Sequence, residues 1–238
     1  MLNKNLRRRI VEGSKEYKLG HCGSALSCVD VISYLYSKVL KKEDVFILSK
    51  GHGAMALYAV LEEQGKKPKW TMHPELNEKQ GIYATTGSLG HGLPIGIGRA
   101  FAKKIKKELG NVYVLLSDGE MAEGSNWESL IILKNLKLTN LKVLIDFNKY
   151  GAIYPIKEIT LDDKYSLKKK IKAFGFNTII IDGHSEKEFK KIKQKEFTVF
   201  ILDTIKGKGI DFLEKSHAHG FNFFYEPDKY KEVMEKLK

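Results

Sequence analysis

Short apolar runs alternate along the chain with longer segments in which apolar side chains recur at helical spacing. The apolar runs predict strands at residues 44–49, at 111–116, from 141 to Asn148, at 177–181 and at 197–203. The helical spacing predicts helices at residues 3–18, 26–39, from the turn at Lys50 to about 64, from a glycine-rich turn to about 109, 168–174, 185–194 and 227–237. This alternation predicts one α/β domain over residues 1–238, with a doubly wound, mostly parallel sheet and helices on both faces.

One β–α–β segment, residues 111–150, carries the first candidate chemistry. Its first apolar run is followed by Ser117-Asp118-Gly119, and its second run ends in Asn148. Open α/β sheets bind ligands at the carboxyl ends of parallel strands, so we expect Asp118 and Asn148 to lie together. A carboxylate, an amide oxygen and a nearby main-chain carbonyl suit Mg²⁺. Asp-Gly and Asn also favour ordinary turns, and the pair alone leaves both interpretations open.

A glycine-rich stretch, residues 84–98, is the second candidate. It has five glycines from Gly87 to Gly98 and opens a predicted helix. The unpaired N–H groups of a first helical turn favour phosphate, as does the helix dipole. Tight packing of the helix explains the glycines equally well.

Composition places the protein in a broad class. The chain has 238 residues, of which 42% are hydrophobic, which predicts a globular fold with a substantial core. Cys22 and Cys28 match no zinc or redox spacing, which favours free thiols in a reducing compartment. No signal peptide and no run of about 18 apolar residues is present, so we expect a cytoplasmic protein with no membrane partner.

The net charge of +12 raises the question of a nucleic-acid partner. Lysine runs at residues 103–107 and 168–170 fall at helical spacing, with apolar residues on the opposite side. That arrangement is typical of a solvated helix face, and no nucleic-acid motif accompanies it. We therefore expect no nucleic acid. The charge is equally suited to an anionic cofactor, sugar phosphates or an acidic partner subunit.

Six motifs, in order along nearly the whole chain, resemble those of the N-terminal, thiamine-diphosphate-binding domain of transketolase. They are Gly20-His21-Cys22-Gly23, the stretch 48–58 around Gly51-His52, His73-Pro74-Glu75, the loop 86–92, Ser117-Asp118-Gly119 with Asn148, and Lys206-Gly207-Lys208-Gly209 with His219-Gly220. The fifth is similar to the Gly-Asp-Gly…Asn signature that thiamine-diphosphate enzymes share. Agreement of all six in one order makes the resemblance strong.

The resemblance implies the ligands of a cofactor and its metal. Asp118, Asn148 and the main-chain carbonyl of Tyr150 would hold Mg²⁺, or Ca²⁺ or Mn²⁺ in its place, and through it the diphosphate of thiamine diphosphate. The family motifs place further cofactor contacts at Gly87, Ser88, Leu89, Gly119 and Glu120.

The resemblance also implies catalytic residues. His21, His52, His73 and His219 match histidines that line the family's substrate channel, contact substrate hydroxyls and assist proton transfer. Imidazole suits that task because it titrates near neutral pH. Glu123 matches an acid that the family places in a proton-sharing carboxylate network between active sites.

The sequence departs from the family in two residues and in length. Ser117 stands where the family has a glycine, and Cys22 stands where it has proline. Transketolases continue into a pyrimidine-binding domain and a C-terminal domain, so the resemblance implies the N-terminal subunit of a split transketolase. Such an enzyme moves a two-carbon ketol unit from a ketose to an aldose, both sugars or sugar phosphates.

We expect a C-terminal partner subunit that carries the two missing domains, in an α₂β₂ assembly. Two alternatives stay open. One is another thiamine-diphosphate carboligase or decarboxylase, and the other is a non-catalytic protein that kept the fold.

Overall fold

Five parallel strands form one sheet in the computed structural model, which describes residues 3–151, 154–160, 163–193, 197–215 and 219–238. The strands are β1 (Val45–Leu48), β2 (Val112–Ser117), β3 (Leu141–Phe147), β4 (Asn177–Asp182) and β5 (Thr198–Asp203). The predicted α/β fold with a mostly parallel sheet is confirmed. Each predicted strand is found to within two residues of its expected ends.

The spatial order of the strands is β1-β2-β3-β5-β4. In the register of the sheet, Leu115 lies between Leu48 and Leu144, and Ser117 lies opposite Asp146. The carboxyl ends of β1, β2 and β3 therefore finish close together. The loops that follow these three strands meet at one edge of the sheet.

Helices cover both faces of the sheet. The α-helices are α1 (Lys4–Glu16), α2 (Cys22–Tyr34), α3 (Ala54–Glu63), α4 (Gly92–Lys106), α5 (Gly124–Asn135), α6 (Ile156–Thr160), α7 (Lys164–Ala173), α8 (Glu186–Phe189), α9 (Asp211–Glu214) and α10 (Pro227–Lys236). Side chains of α1, α2, α3, α8 and α10 form one apolar core, and those of α4, α5 and α7 form the other.

The strands are buried on both sides because each face supports its own helical layer. Successive β1 residues alternate between the cores: Phe46 and Leu48 belong to one, and Val45 and Ile47 to the other. This explains why the strands read as continuous apolar runs with little polar alternation.

Several helix boundaries differ from the predicted ones. Helix α2 begins at Cys22 instead of 26, after His21 in the left-handed region at φ 68°. Ser24 and Ser27, either of which could cap a helix that began at 26, lie inside this helix instead. Helix α4 ends at Lys106, before 109, because Lys107 turns into the left-handed region at φ 57°.

Two further helices differ from prediction in the second half of the chain. Helix α7 begins at Lys164, four residues before 168, since Asp163 and Ser166 form a capping box that the apolar pattern does not reveal. Helix α8 spans Glu186–Phe189 and continues as a 3₁₀ turn, Lys190–Lys193. The predicted end of that helix, residue 194, lies outside the described residues.

Two sequence expectations concern features outside the sheet. No helix among the described residues is long and apolar enough to cross a membrane. Cys22 and Cys28 are both buried free thiols, and burial raises the pKa of each to about 12. Neither thiol is therefore set up as a nucleophile.

Candidate active site

A cleft of about 200 Å³ opens where the loops after β1 and β2 meet the loop before α2. Its lining includes all four predicted histidines, two residues of the glycine-rich stretch and the two neighbours of Asp118: His21, His52, His73, Gly87, Leu89, Ser117, Gly119, Tyr150, Gly151 and His219. Residues from six separate motifs are thus brought to one place. The four candidate histidines come from four different loops.

The four imidazoles form a cluster centred on His21. Its ring centroid lies 4.6 Å from that of His219, 5.9 Å from that of His73 and 6.1 Å from that of His52. Nδ1 of His21 is 3.2 Å from the main-chain oxygen of His219. An acceptor at that position favours the tautomer with hydrogen on Nδ1, leaving Nε2 as an acceptor.

All four histidines favour the neutral form. Burial lowers the pKa of His21 and of His73, and it lowers the pKa of His52 well below 6.5, assisted by the nearby Lys50. The pKa of His219 falls to about 4 through burial, with smaller effects from His21 and Lys206. Neutral imidazoles can accept a proton or a hydrogen bond from a substrate hydroxyl at neutral pH.

Glycines bring the loops close enough to form the cleft. Gly87 has φ +135°, and a Cβ built on it would lie 2.8 Å from Cγ of His73. A Cβ on Gly51 would lie 2.6 Å from the main-chain nitrogen of Gly87. No other residue fits these two positions, because a side chain would push the His73 ring or the facing backbone aside. Gly87, in the second candidate stretch, is therefore needed to shape the cleft.

Asp118 and Asn148 lie near each other beside the cleft, as the β–α–β pattern predicted, although neither is among the residues that line it. The Asp118 carboxylate accepts hydrogen bonds from the main-chain N–H groups of Gly119 (2.9 Å) and Lys149 (2.6 Å). Oδ1 of Asn148 accepts from the N–H of Tyr150 at 3.1 Å. Lys149 adopts φ +76°, which turns the chain sharply between Asn148 and Tyr150.

These groups fit a hard cation whose coordination shell is completed by phosphate oxygens. Asp118 is 1% exposed, and burial, with a contribution from the Asp146 charge, raises its pKa to about 8. A cation would remove this penalty by stabilising the ionised carboxylate. No trio of His, Cys, Asp or Glu able to hold a metal exists among the described residues. One carboxylate, one amide and one main-chain carbonyl form an incomplete set, which suits Mg²⁺ because this ion commonly takes phosphate oxygens as well.

Further groups near the cleft suit an anionic ligand. The Lys206 side chain is 5% exposed, packs against Gly23, and has its Nζ 5.0 Å from the ring centroid of Tyr150. Ser24 Oγ is buried and has no hydrogen-bond partner in the described part of the chain. Lys206 belongs to one of the six motifs, but the sequence did not indicate which residues it contacts.

Besides Asp118 and Asn148, three predicted site residues are absent from the lining of the cleft. Glu120 is fully buried, and its carboxylate accepts from Ser49 Oγ (2.6 Å) and from the N–H groups of Ser117 (3.0 Å) and Gly90 (3.2 Å). This carboxylate therefore ties the glycine loop to the ends of β1 and β2.

Ser88 and Glu123 are the other two. Ser88 is exposed at the rim. Glu123 is partly exposed and packs against Gly90, where an added Cβ would lie 2.8 Å from the Glu123 Cβ.

A buried ionic network beneath the cleft was not predicted. Lys50 Nζ contacts Asp146 Oδ2, and both side chains are 0% exposed. Burial is the largest effect on the pKa of Lys50 and lowers it, but the charge and hydrogen bond of Asp146, with smaller contributions from Cys28 and Asp118, together raise the net pKa. Asp146 lies in β3 directly after the apolar run 143–145, and Lys50 lies two residues after the end of β1. The only indication of this network in the sequence was Asp146, a charged residue at the end of an apolar run.

A second cavity of about 210 Å³ lies away from this cleft, beside Asp30 and His184. The Asp30 carboxylate pairs with the two terminal nitrogens of Arg7, at 2.8 and 2.7 Å, and with His184 Nδ1 at 2.8 Å. His184 Nε2 accepts the N–H of Ile205 at 2.9 Å. These groups are occupied in fastening the loop after β5.

Comparison with known proteins points to the same family as the motifs that form the cleft. The family model described as "Transketolase, thiamine diphosphate binding domain" matches residues 2–223. One subunit of the apulose-4-phosphate transketolase of Actinobacillus succinogenes is 34% identical, over 89% of this chain and 86% of that protein. The 6-deoxy-6-sulfo-D-fructose transketolase subunit of Clostridium sp. (strain MSTE9) is 32% identical, over 88% of this chain and 85% of that protein.

A solved structure extends the agreement to the fold. The transketolase of Campylobacter jejuni superposes with a TM-score of 0.80 and 25% identity, over 99% of this chain and 40% of that chain. The chain thus spans most of the two subunits and less than half of this longer transketolase. The resemblance drawn from the six motifs is confirmed. The chain belongs to the transketolase family, and it matches the thiamine-diphosphate-binding domain of that family.

Proposed function

We propose that this chain is the N-terminal subunit of a split transketolase, which transfers a two-carbon ketol unit from a ketose to an aldose. One observation carries the proposal: a four-histidine cluster lines the cleft, and Asp118 and Asn148 hydrogen-bond to the main chain of two lining residues, Gly119 and Tyr150. The first suits a polyhydroxylated substrate, and the second suits a metal-bound diphosphate. A site for pyruvate needs fewer hydroxyl partners, which favours sugars over that alternative.

Asp118, Asn148 and the main-chain carbonyl of Tyr150 would hold Mg²⁺, and Gly87, Leu89 and Gly119 would lie against the cofactor. Lys206 and the amino ends of the nearby helices add positive potential for the diphosphate. Thiamine diphosphate, when bound, supplies the electron sink for breaking the bond beside a ketose carbonyl.

The four histidines would handle the substrate's protons and hydroxyls. Cleavage of a ketose requires removal of a hydroxyl proton, and addition to an aldehyde requires delivery of one. Neutral His52 and His73 can accept a proton from such a hydroxyl and return it. His21 and His219, with rings 4.6 Å apart, would bind neighbouring hydroxyls at the mouth of the cleft.

A partner subunit would complete the site. The two split relatives are both described as subunits, and the Campylobacter jejuni chain is more than twice the length spanned here. Helices α4 and α5 pack against each other, and Ser125 Oγ at the start of α5 also donates to the oxygen of Gly90, just before α4. Their outer surface exposes Ile95, Ile105, Ile131 and Ile132. An apolar face of this kind supports burial in an α₂β₂ assembly.

Two buried free cysteines fit a reducing compartment, which supports a cytoplasmic location.

Substitution of Asp118 tests the metal part of this proposal. Asp118→Ala should weaken Mg²⁺-dependent thiamine-diphosphate binding by several kcal/mol, measured by calorimetry on the chain assembled with its C-terminal partner. Asp211→Ala, at an exposed position on α9, is the control and should bind like the wild type. Unchanged affinity in Asp118→Ala would remove the metal site from the account.

A further inference from the structure

The Lys50–Asp146 ion pair joins four elements of the fold at a point closed to solvent. Lys50 follows β1, and its Nζ donates to the main-chain oxygen of Ser24 on α2 at 3.1 Å as well as to Asp146. Asp146, near the end of β3, also accepts from Ser27 Oγ at 2.6 Å and from Thr204 Oγ1 after β5. The pair therefore fixes the relative positions of three strand ends.

A pair buried this deeply is poorly explained by stability alone. Removing two charges from water costs free energy that their attraction often fails to recover, and apolar replacements of similar volume are frequently as stable or more so. A positioning role accounts for the pair better, provided that a group of the site depends on it.

Asn148 is that group. Its Nδ2 donates to Asp146 Oδ2 at 3.4 Å, and its Oδ1 accepts from the Tyr150 N–H at 3.1 Å. An ionised carboxylate can only accept hydrogen bonds, so it selects the NH₂ end of the amide. The flipped amide would place its oxygen against the Asp146 oxygen. Asp146 thus leaves the amide oxygen, the atom that can bind a hard cation, on the side of the Tyr150 loop.

We propose that Asp146 is a positioning residue that orients the Asn148 amide for a divalent cation, and that Lys50 balances the buried charge this requires. The inference rests on the proposed function, since it needs a cation held at Asp118 and Asn148. Groups behind metal ligands commonly change metal affinity about 10–100-fold when they are altered.

The test separates metal affinity from stability. The full chain is titrated with Mn²⁺ in the presence of inorganic diphosphate, and free Mn²⁺ is followed by electron paramagnetic resonance. Urea unfolding of each variant is measured in parallel. The variant Lys50→Met/Asp146→Leu removes both charges together, so it should unfold at a urea concentration near that of the wild type. Its Kd for Mn²⁺ should nevertheless rise at least tenfold.

Two further variants complete the design. Ser27→Ala removes a different donor to Asp146 and leaves Asn148 untouched, so its Kd should stay within about twofold of the wild type. Lys50→Met/Asp146→Val also removes both charges and has a smaller side chain in β3, so it serves if the first double variant does not fold. It too lacks the oxygen that accepts from Asn148 Nδ2, and Mn²⁺ should again bind at least tenfold more weakly.

The outcomes distinguish this inference from the proposed function. Wild-type affinity in a folded Asp146 variant overturns the inference, while the loss of binding in Asp118→Ala would still support the metal site. Failure of the wild-type chain to bind Mn²⁺ with diphosphate, both alone and with its C-terminal partner, overturns the proposed function and this inference together.

Discussion

The imidazole rings of His21 and His219 lie 4.6 Å apart, although 198 positions separate them in the sequence. The turns that carry them pack directly together, since a Cβ on Gly20 would lie 3.1 Å from the Gly220 oxygen. Two charged imidazolium rings at this distance would repel each other in a partly dry cleft. The contact therefore depends on both rings being neutral.

Acid should destabilise the protein through these rings. In the unfolded chain both histidines take up protons as the pH falls below about 6.5, whereas the folded pKa of His219 is about 4 and that of His21 is also lowered. The unfolded state then binds more protons, so their contribution to stability is complete above pH 6.5 and is lost progressively towards pH 4. Urea unfolding between pH 4.5 and 7 measures this slope. His219→Gln should flatten it, and His91→Gln, at an exposed position, should not.

His52→Ala and His73→Ala should reduce turnover far more than cofactor affinity, because their proposed partners are substrate oxygens. Loss of general acid–base assistance typically lowers the rate about 10²–10⁴-fold. The measurement is kcat for ketol transfer beside the Kd for thiamine diphosphate, both on the assembled enzyme. A variant that loses cofactor binding but turns over normally when saturated would show that its histidine is misassigned.

Gly87→Ala and Gly98→Ala should have opposite effects. At Gly87 the side chain meets His73 and φ is +135°, so alanine should cost about 1–3 kcal/mol of unfolding free energy and displace the His73 ring. A Cβ on Gly98, within α4, has open space, so alanine should add up to about 1 kcal/mol. Urea unfolding checks both. Equal effects would contradict the close approach of Gly87 to His73.

Two neighbouring arginines on α1 offer a further comparison. Arg7 is 1% exposed and binds Asp30 through two nitrogens, whereas Arg8 forms an exposed pair with Glu12. Arg7→Met should cost about 3–5 kcal/mol, because it leaves buried Asp30 with too little compensation. Arg8→Met should cost no more than about 0.5 kcal/mol. Similar losses of unfolding free energy in both variants would contradict the structural role assigned to Arg7.

Much of the fold follows from the sequence because buried parallel strands and amphipathic helices have distinct periods. The helix ends were less accessible, since they depend on single residues such as His21 and Lys107 in the left-handed region. Histidine and lysine do not usually adopt that conformation, so the sequence did not predict it there. The capping box at Asp163 is likewise hard to recognise beside a lysine-rich segment.

The candidate site was predictable where a motif and a strand end coincide, as at Asp118 and Asn148. The Lys50–Asp146 pair was not predicted, because a charged residue in an apolar strand does not reveal which distant residue is its partner. Glu120 was placed at the cofactor from its motif, yet its side chain points into the structure, where three donors hold it. Which way a residue beside a turn points is decided by packing that the sequence does not display.

The central claim is that this chain supplies one half of a thiamine-diphosphate site. The direct measurement is ketose-to-aldose transfer by the mixture of this chain, its C-terminal partner, Mg²⁺ and thiamine diphosphate, with each component omitted in turn. The account predicts activity in the complete mixture and none when any one component is left out. Full activity from this chain without the partner, or from the complete assembly without metal or cofactor, would contradict it.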